Sequence, residues 1–530
     1  MLGRPPPKFA PPLVLVNGLL IIILVCAAGA AYLWNRDLVF FGGQVFFADG
    51  DCYARMTRVT QSEADLLRPI RSHDFENFPK GTRPHTTAPL DYAIIFLHTL
   101  LAPLTESSLS VAGAFISPVI GMLTIVFLGF WSGTAGVAFR WPLLVLFSFS
   151  PMTAHAFELG RPDHQSLILA LVTVAVASEI SLWLKPSMAW RYVSAISWGL
   201  ALWVSLFEPA VIAALILVAR GVRWFVAQRP TGVSGKIHPG PLVVFFAILI
   251  LAICWEGWPS VGFDPDFARW ARGIGELKPG SLGLLCSWGG WMALAAPVML
   301  AWHFYRKREG VALMLLAMVV VTGTLTFVHA RWGYFFILFL AMSLPWALSV
   351  PRSQAFAGLV FVISLWPVAS AWDHTLFPDE ATFRARSEQL ADSLALRDAA
   401  LQLRGKPRRG VIAPWWFSPA VVWWSGQPAV GGSSHQSLPG IRDSARFFLS
   451  DGGEAAEGIL RSRKVGYVIG YEPDRVESNS AELLGAGVPP RSMIRTLFGP
   501  PQQVPTFLLP VYGNRFFRVF EVRFGSADFE

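Results

Sequence analysis

The stretch FADGDCYARMTRV (Phe47–Val59) lies just beyond the first long hydrophobic segment of the chain. It sets two carboxylates, Asp49 and Asp51, and two guanidinium groups, Arg55 and Arg58, a few residues past a candidate membrane span. Charge beside a bilayer is costly and marks a functional candidate by default. What this knot means depends on whether the chain is a membrane protein, and on which side the knot lies.

Of 530 residues, 53% are hydrophobic and only 15% charged, with a mean hydropathy of +0.48. A soluble domain carries about 25% charged residues, so the composition predicts a polytopic membrane protein. The net charge of +8 fits Lys and Arg anchoring cytoplasmic loops and does not call for a nucleic-acid partner. Cys26, Cys52, Cys254 and Cys286 form no CxxC and no ligand spacing, so neither a disulfide framework nor a zinc site is expected. The opening MLGRPPPKFAPP runs into about twenty apolar residues without a clear small-residue cleavage site, which predicts an uncleaved first span.

A spanning helix needs roughly 20 apolar residues. Eleven segments qualify as candidates: 12–34, 108–133, 141–158, 164–184, 190–206, 209–227, 240–258, 282–303, 310–328, 332–350 and 354–372. The segment APLDYAIIFLHTLLAPL (88–104) is shorter, carries Asp91 and His98, and is expected to be interfacial or re-entrant. With the N-terminus inside, the compact basic clusters fall on one face: Arg4 and Lys8, Arg140, Lys185 and Arg191, Arg220 to Lys236, Arg306-Lys307-Arg308, and Arg352. The opposite face receives loops 35–107, 159–163 and 259–281 and everything after about residue 373. That tail (373–530) reads as a small α/β domain following a transmembrane domain (1–372). TFRARSEQLADSLALRDAALQL predicts a helix; GVIAP, KVGYVIGY and FFRVFEVRF predict strands between Gly/Pro turns.

Four polar clusters share the outer face. Asp49 and Asp51, separated by one residue, can offer oxygen ligands to a hard divalent cation; the plain alternative is a solvated loop with ion pairs. In ELGRPDHQ (158–165), Asp163 and His164 sit at the mouth of a span, where an aspartate also serves as an ordinary helix N-cap. In GIGELKPGS (273–281), Glu276 lies in a Gly- and Pro-rich loop of the kind that closes over sites. It is equally the place for a solvent-facing glutamate. In VHARWGYFF (328–336), Arg331 stands at the outer boundary between two spans, where a guanidinium binds a phosphate bidentately or snorkels to the interface.

Taken together, these motifs resemble the catalytic subunit of oligosaccharyltransferases, within the GT-C class of membrane glycosyltransferases that use polyprenyl-linked donors. DGDCYARMTR resembles the family's first-loop Asp followed by an Arg. Asp49 pairs with Arg55 or Arg58 in one register and Asp51 with Arg58 in another, the first being favoured. GRPDHQ keeps the family's second-loop Asp as Asp163 but has Gln165 in the second acidic place, with His164 between. GIGELKP keeps Glu276 and Pro279, and HARWGYFF places Arg331 at the lipid phosphate. PWWFSP keeps Trp415 and Trp416 of the family's Trp-Trp-Asp motif, with Phe417 in place of the Asp.

The resemblance implies transfer of a glycan from a polyprenyl (pyro)phosphate to a protein, lipid or polysaccharide acceptor. This would take place on the outer face of a bacterial inner membrane, with the C-terminal domain periplasmic. It implies a divalent cation (Mg2+ or Mn2+) on Asp49, Asp163 and Glu276, with Asp49, Asp51 and Glu276 as catalytic groups. Arg331, Arg58, His164, Trp415 and Trp416 would contact substrates. No P-loop or Rossmann fingerprint is present, in keeping with a lipid-linked donor. The rival within the class is a transferase using a polyprenyl monophosphate sugar to modify lipid or polysaccharide. The rivals outside it are a passive membrane scaffold and a transporter or flippase; a transporter would need Glu179 and Glu208 at mid-membrane, whereas both fall near span ends.

Overall fold

The computed structural model describes residues 11–83, 88–226, 238–258, 264–351 and 353–524. Arg4, Lys8, Arg229, Lys236, Arg352 and the first residues of loop 259–281 lie outside the described residues. Among the described residues, six helices are long and apolar enough to cross a membrane: Leu15–Tyr32, Ser108–Thr134, His164–Leu184, Pro239–Glu256, Gly310–Val328 and Gln354–Leu376. A seventh span is available if Leu282–Gly289 and Met292–Lys307, bent by 82°, count as one. Gly290 makes that bend: it has φ +66°, and a Cβ there would lie 2.2 Å from the Ser364 carbonyl oxygen.

The remaining predicted spans are helical but depart from simple crossings for identifiable reasons. The predicted 141–158 is split into Arg140–Phe149 and Pro151–Ala156, because Pro151 cannot continue the hydrogen-bond ladder and Ser150 is extended. Met188–Val204 has 17 residues, about 26 Å at 1.5 Å per residue, against a hydrocarbon core of roughly 30 Å. Phe207–Val226 carries Glu208, Arg220 and Arg223. Gly333–Ala347 has 15 residues, all of them buried. A helix apolar on every side belongs in the middle of a bundle, and this one packs at the centre of the transmembrane core.

The segment expected to be interfacial forms Ala88–Leu101, 14 residues long, or about 21 Å, too short to cross. It is pinned by charge. Asp91, 3% exposed, accepts from Arg55 Nη1 at 2.7 Å and from Arg58 Nε and Nη2 at 2.6 and 3.3 Å. Both arginines come from the helix Gly50–Ala64, so this buried triad fastens the first outer loop to the interfacial helix.

The C-terminal region has the predicted helix, Glu380–Leu401, and a four-stranded sheet in the spatial order Gly410–Ile412, Val465–Gly470, Arg518–Val522, Leu508–Gly513. The first pair is parallel and the others antiparallel. Three strands coincide with the predicted ones; Leu508–Gly513, interrupted by Pro510, was not expected. The apolar core does not stop at residue 372. Val39, Phe47, Met56 and Val59 of the first outer loop share one buried cluster with Val411, Val421, Tyr467 and Val519. Polar ties run across the same junction: Arg408 Nη2 lies 2.8 Å from both carboxylate oxygens of Asp74, and Arg463 Nη1 donates to Asn77 Oδ1 at 2.9 Å.

Removing one partner of a buried ion pair leaves an uncompensated charge and costs about 3–5 kcal/mol. Asp91→Asn, which strands two arginines, is therefore expected to lower unfolding free energy by about that amount in detergent, measured by chemical denaturation. His73 provides a pH test. It is stacked on Phe75 at 3.8 Å, and burial, aided by the Arg58 charge, pushes its pKa down to about 3. The folded chain keeps His73 neutral while the unfolded chain binds a proton below about pH 6.5. Its stabilising share is thus complete above that pH and is lost as pH falls toward 3. His73→Gln should flatten the fall in melting temperature between about pH 6.5 and pH 5 relative to the natural chain; equal slopes would refute this.

Candidate active site

Three outer segments meet because each is tied to the others by backbone contacts. Gly160 adopts φ +76°, and a Cβ there would clash with Val39 at 2.6 Å. Its N–H donates to Ala114 O at 2.9 Å and its carbonyl accepts from Ala48 N at 2.9 Å. The second outer loop is thereby laid against the residue preceding Asp49. The third loop is strapped to the Arg331 turn: Ala330 N donates to Lys278 O at 2.8 Å, Gly280 N to Thr326 O at 2.9 Å, and His329 Nδ1 lies 2.8 Å from Leu277 O. Glu276 sits in the 3-10 turn Gly275–Leu277 within that strap.

Asp49 caps the helix Gly50–Ala64, its Oδ1 accepting from Cys52 N at 3.0 Å. Its Oδ2 accepts from Arg161 Nη1 at 2.8 Å, and Arg161 Nε reaches Glu158 Oε1 at 2.7 Å. Burial disfavours the Arg161 charge, but the Asp49 and Glu158 carboxylates outweigh it and raise its pKa well above the usual value. Asp163 caps the next span, accepting from His164 N at 2.6 Å, and its carboxylate also lies 2.5 Å from His164 Nδ1. Burial alone would raise Asp163; His164, Arg55 and Arg161 overcome it and hold the carboxyl well below the usual range.

Arg331 Nε donates to Glu208 Oε1 at 2.8 Å, and its Nη2 lies 2.9 Å from His164 Nε2. The Gln165 amide satisfies its surroundings when its oxygen faces Arg331, accepting from Nε at 2.7 Å and Nη2 at 2.5 Å. The residue in the second acidic place thus serves the guanidinium.

Asp51 has exposed surface area, yet protein crowds it closely. Desolvation is the largest cause pushing its carboxyl well above the ordinary range; the charges of Asp49, Asp163 and Glu276 add to it, while a hydrogen bond with Ser433 opposes it. The same carboxylates act on Arg331, whose pKa is raised by Glu208, Glu276 and Asp163 against the effect of burial. All four predicted clusters therefore lie within electrostatic reach of one another.

The predicted cation shell is not assembled. Among the described residues, no three His, Cys, Asp or Glu side chains stand close enough to hold one ion. Asp49 is engaged by Arg161 and Asp163 by His164, while Glu276 Oε2 is buried with no hydrogen-bond partner. The arrangement of Asp49, Asp163 and Glu276 does not fit a ready-made Mg2+ or Mn2+ site, because Arg161 and His164 already engage the first two carboxylates. Arg58 is likewise displaced from its expected role: it faces Asp91, away from Asp49.

The C-terminal region reaches the site through the turn 431–434, to which the sequence reading gives no role. Glu76, 3% exposed, accepts from Ser433 N at 3.2 Å and Ser434 Oγ at 3.1 Å, holding Ser433 beside Asp51. A Cβ on Gly50 would touch Ser433 Cβ and the Trp416 carbonyl oxygen at 3.4 Å. Trp415 Nε1 donates to Asn479 Oδ1 at 2.7 Å, and its ring lies 6.0 Å from Trp270 of the third loop. Trp416 Nε1 is buried without a partner. Phe417, in the place of the expected Asp, packs on Tyr471 and Phe517 at 5.0 and 5.5 Å. Sequence reasoning did not single out Arg161, Glu158, Ser433 or Tyr334. Arg161 alone had a local signal, two residues before Asp163 in a loop of five.

No protein-family model matches the chain, and no curated protein matches it in sequence. Solved structures do. The archaeal oligosaccharyltransferase AglB from Archaeoglobus fulgidus, in complex with an inhibitory peptide and a dolichol-phosphate, superposes with TM-score 0.67 at 15% identity over 88% of this chain and 71% of that one. The Archaeoglobus fulgidus oligosaccharyltransferase in complex with Zn and sulfate gives TM-score 0.64 at 15% identity, over 88% of this chain and 70% of that one. ArnT from Cupriavidus metallidurans, bound to undecaprenyl phosphate, gives TM-score 0.55 at 13% identity, over 94% of this chain and 97% of that one. The chain has the fold of these GT-C glycosyltransferases.

The ion-pair arrangement can be measured. A double-mutant cycle on Asp49→Asn and Arg161→Gln should give a coupling energy of about 1–3 kcal/mol in unfolding free energy. The cycle pairing Asp49→Asn with Arg58→Gln should give a coupling near zero. The reverse ranking would restore the pairing expected from sequence.

Proposed function

We propose that this chain is a membrane glycosyltransferase that moves a glycan from a polyprenyl-phosphate-linked donor to an acceptor at the outer membrane surface. The observation that carries this is the meeting of Arg161 and Arg331 with Asp49, Asp51, Asp163 and Glu276 at the ends of apolar helices. A lipid-linked phosphate presents its charge at that level. The leaving group gains negative charge as the sugar departs, and preorganised guanidinium groups stabilise it there. Arg331, 26% exposed at its side chain, is the donor-facing cation. Arg161 orients Asp49. The lipid-phosphate donor is supported by two of the similar structures, one in complex with dolichol-phosphate and one bound to undecaprenyl phosphate. Asp49, Asp51 and Glu276 line the acceptor side, with Trp415 and Trp416 beneath the third loop. No step is assigned to a metal ion.

Two acceptor classes follow from the fold: a protein, as in oligosaccharyltransferases, or a lipid or polysaccharide. Phe417 favours the second. An aspartate at that position would have presented a carboxylate to an acceptor hydroxyl, whereas the phenyl ring packs among Tyr471 and Phe517. Transport is disfavoured by the same coordinates. Glu179 is held by Ser194 and Arg220, and Glu208 by Ser205 and Arg331, all near helix ends.

The test compares cell-envelope glycans and glycoproteins, by mass spectrometry, in cells with the natural chain, without it, and with Asp49→Ala. The expected outcome is loss of one sugar substituent in both altered strains, with the variant present in membranes at near-normal amount and a turnover drop of about 100-fold or more. A sugar missing from Asn of proteins selects the first acceptor class, and one missing from lipid or polysaccharide the second. Unchanged glycans on every class would remove the proposal.

A further inference from the structure

His155 stands among the charged groups of the site, and nothing above gives it a task. It lies in the short helix Pro151–Ala156, on the outer side of the Ser150–Pro151 break. Its Nδ1 is 2.7 Å from the Tyr334 hydroxyl, and the two rings are nearly parallel, with centroids 6.0 Å apart and planes 18° apart. Tyr334 is 2% exposed and follows Arg331 by three residues, so the ring of His155 is fixed by the turn that carries Arg331. The other nitrogen, Nε2, has a carboxylate oxygen, Glu158 Oε1, at 3.9 Å, beyond hydrogen-bond distance, and 43% of the side chain is exposed. The charges of Arg161, Glu158, Glu276 and Asp49 all act on it.

We propose that His155 Nε2 is the base that takes the proton of the acceptor, and that the acceptor group is accordingly a hydroxyl. The proposal rests on the glycosyl-transfer reading and deepens it. The neighbouring carboxylates are poorly placed for the task. Asp49 has one oxygen on Cys52 N and one on Arg161, Asp163 is bound by His164, and Glu158 accepts from Arg161. Glu276 Oε2 is buried, and Asp51 takes a hydrogen bond from Ser433. His155 is partly exposed and fixed at one nitrogen only.

In the tautomer carrying its proton on Nδ1, His155 donates to the Tyr334 oxygen and leaves the Nε2 lone pair facing outward. The acceptor oxygen attacks the anomeric carbon of the donor. The new C–O bond forms as the bond from that carbon to the phosphate oxygen breaks, its electron pair leaving with the phosphate. The acceptor proton passes to Nε2, and the resulting imidazolium lies beside the Glu158 carboxylate, whose charge favours it. The proton then leaves to water. A hydroxyl brings a localised lone pair and needs only this proton removed, whereas an amide nitrogen has its lone pair delocalised into the carbonyl.

The full chain in nanodiscs is given undecaprenyl-phosphate-linked radiolabelled hexose, with water and a simple alkyl glycoside as hydroxyl acceptors. Release and transfer of label are followed across about pH 4 to 8, a range carried below the usual imidazole titration because burial, aided by the Arg161 charge, lowers the His155 pKa. Histidine-to-asparagine substitution keeps a donor near the Nδ1 position and removes Nε2. His155→Asn should lower kcat by about 100-fold or more, in keeping with loss of a general base. It should also abolish the acidic limb of the pH–rate profile and leave donor binding, read by tryptophan fluorescence, within about 3-fold. Added imidazole should restore part of the rate to His155→Ala. A variant that keeps both its rate and its acidic limb overturns the proposal, and so does a slowed His155→Ala that imidazole does not rescue. No release by the natural chain, with the glycan profiles of the cell also unchanged, is a failure of the glycosyl-transfer reading beneath it. Transfer to a peptide Asn but to no hydroxyl refutes only the acceptor class named here.

Discussion

The Arg161 guanidinium is the hinge of this structure. It bridges Asp49, the cap of the first outer helix, to Glu158, at the start of the second outer loop. Removing it would place two carboxylates together at the edge of a bilayer with no opposing charge. The fork of the guanidinium matters as much as its sign, since two different nitrogens reach two different chains of contacts. Around this bridge the site acquires a second, parallel relay running from Asp163 through His164 and Arg331 to Glu208, with an acid at each end and two basic side chains between. Asp49, Glu158, Asp163 and Glu208 each have a basic side chain beside them. Asp51 instead takes a hydrogen bond from Ser433, and Glu276 Oε2 has no hydrogen-bond partner.

The same economy of placement explains why the C-terminal region is part of the candidate site and more than an appended module. Its sheet shares an apolar core with the first outer loop. Its Gly-Gly-Ser-Ser turn is fixed by Glu76, which comes from that loop, and in return supplies the hydrogen bond that tempers Asp51. Trp415 meets Trp270 of the third loop, and Arg442 donates to Asp266 of the same loop at 2.6 Å. The loop bearing Glu276 is therefore held at both ends, by the C-terminal region and by the Arg331 turn. Small shifts in either would be felt at Glu276.

The membrane core behaves differently. Its centre is Gly333–Ala347, a short helix buried on all sides, and its polar contacts are hydroxyls satisfying backbone carbonyls one turn away, as with Thr322 and Thr326. Ion pairs gather at the rim that holds the candidate site, with Glu179–Arg220 a further pair between His164–Leu184 and Phe207–Val226. A largely apolar interior beside an ionic rim suits chemistry on a substrate whose tail is dissolved in lipid and whose head is not.

Hydrophobic runs are local, so the sequence by itself determined the membrane class, six long apolar helices among its eleven candidate spans, the shortness of the helix within 88–104, the helix Glu380–Leu401 and, among the described residues, three of the four strands. It also determined which residue types were too costly to be incidental: Asp49, Asp51, Asp163, Glu276 and Arg331 stand out because charge near a bilayer needs a reason. What only the tertiary structure decided is who partners whom. Asp49 and Arg161 are 112 positions apart, and His155 and Tyr334 are 179; no periodicity connects them. Arg55 and Arg58, which follow Asp49 closely in sequence, pair with Asp91 of the helix Ala88–Leu101. Likewise the bend at Gly290 and the break at Ser150–Pro151 follow from what approaches those backbones, and that is set by packing. An ion pair is chosen by distance through space after the helices have docked, whereas a span is chosen by solvent before they do.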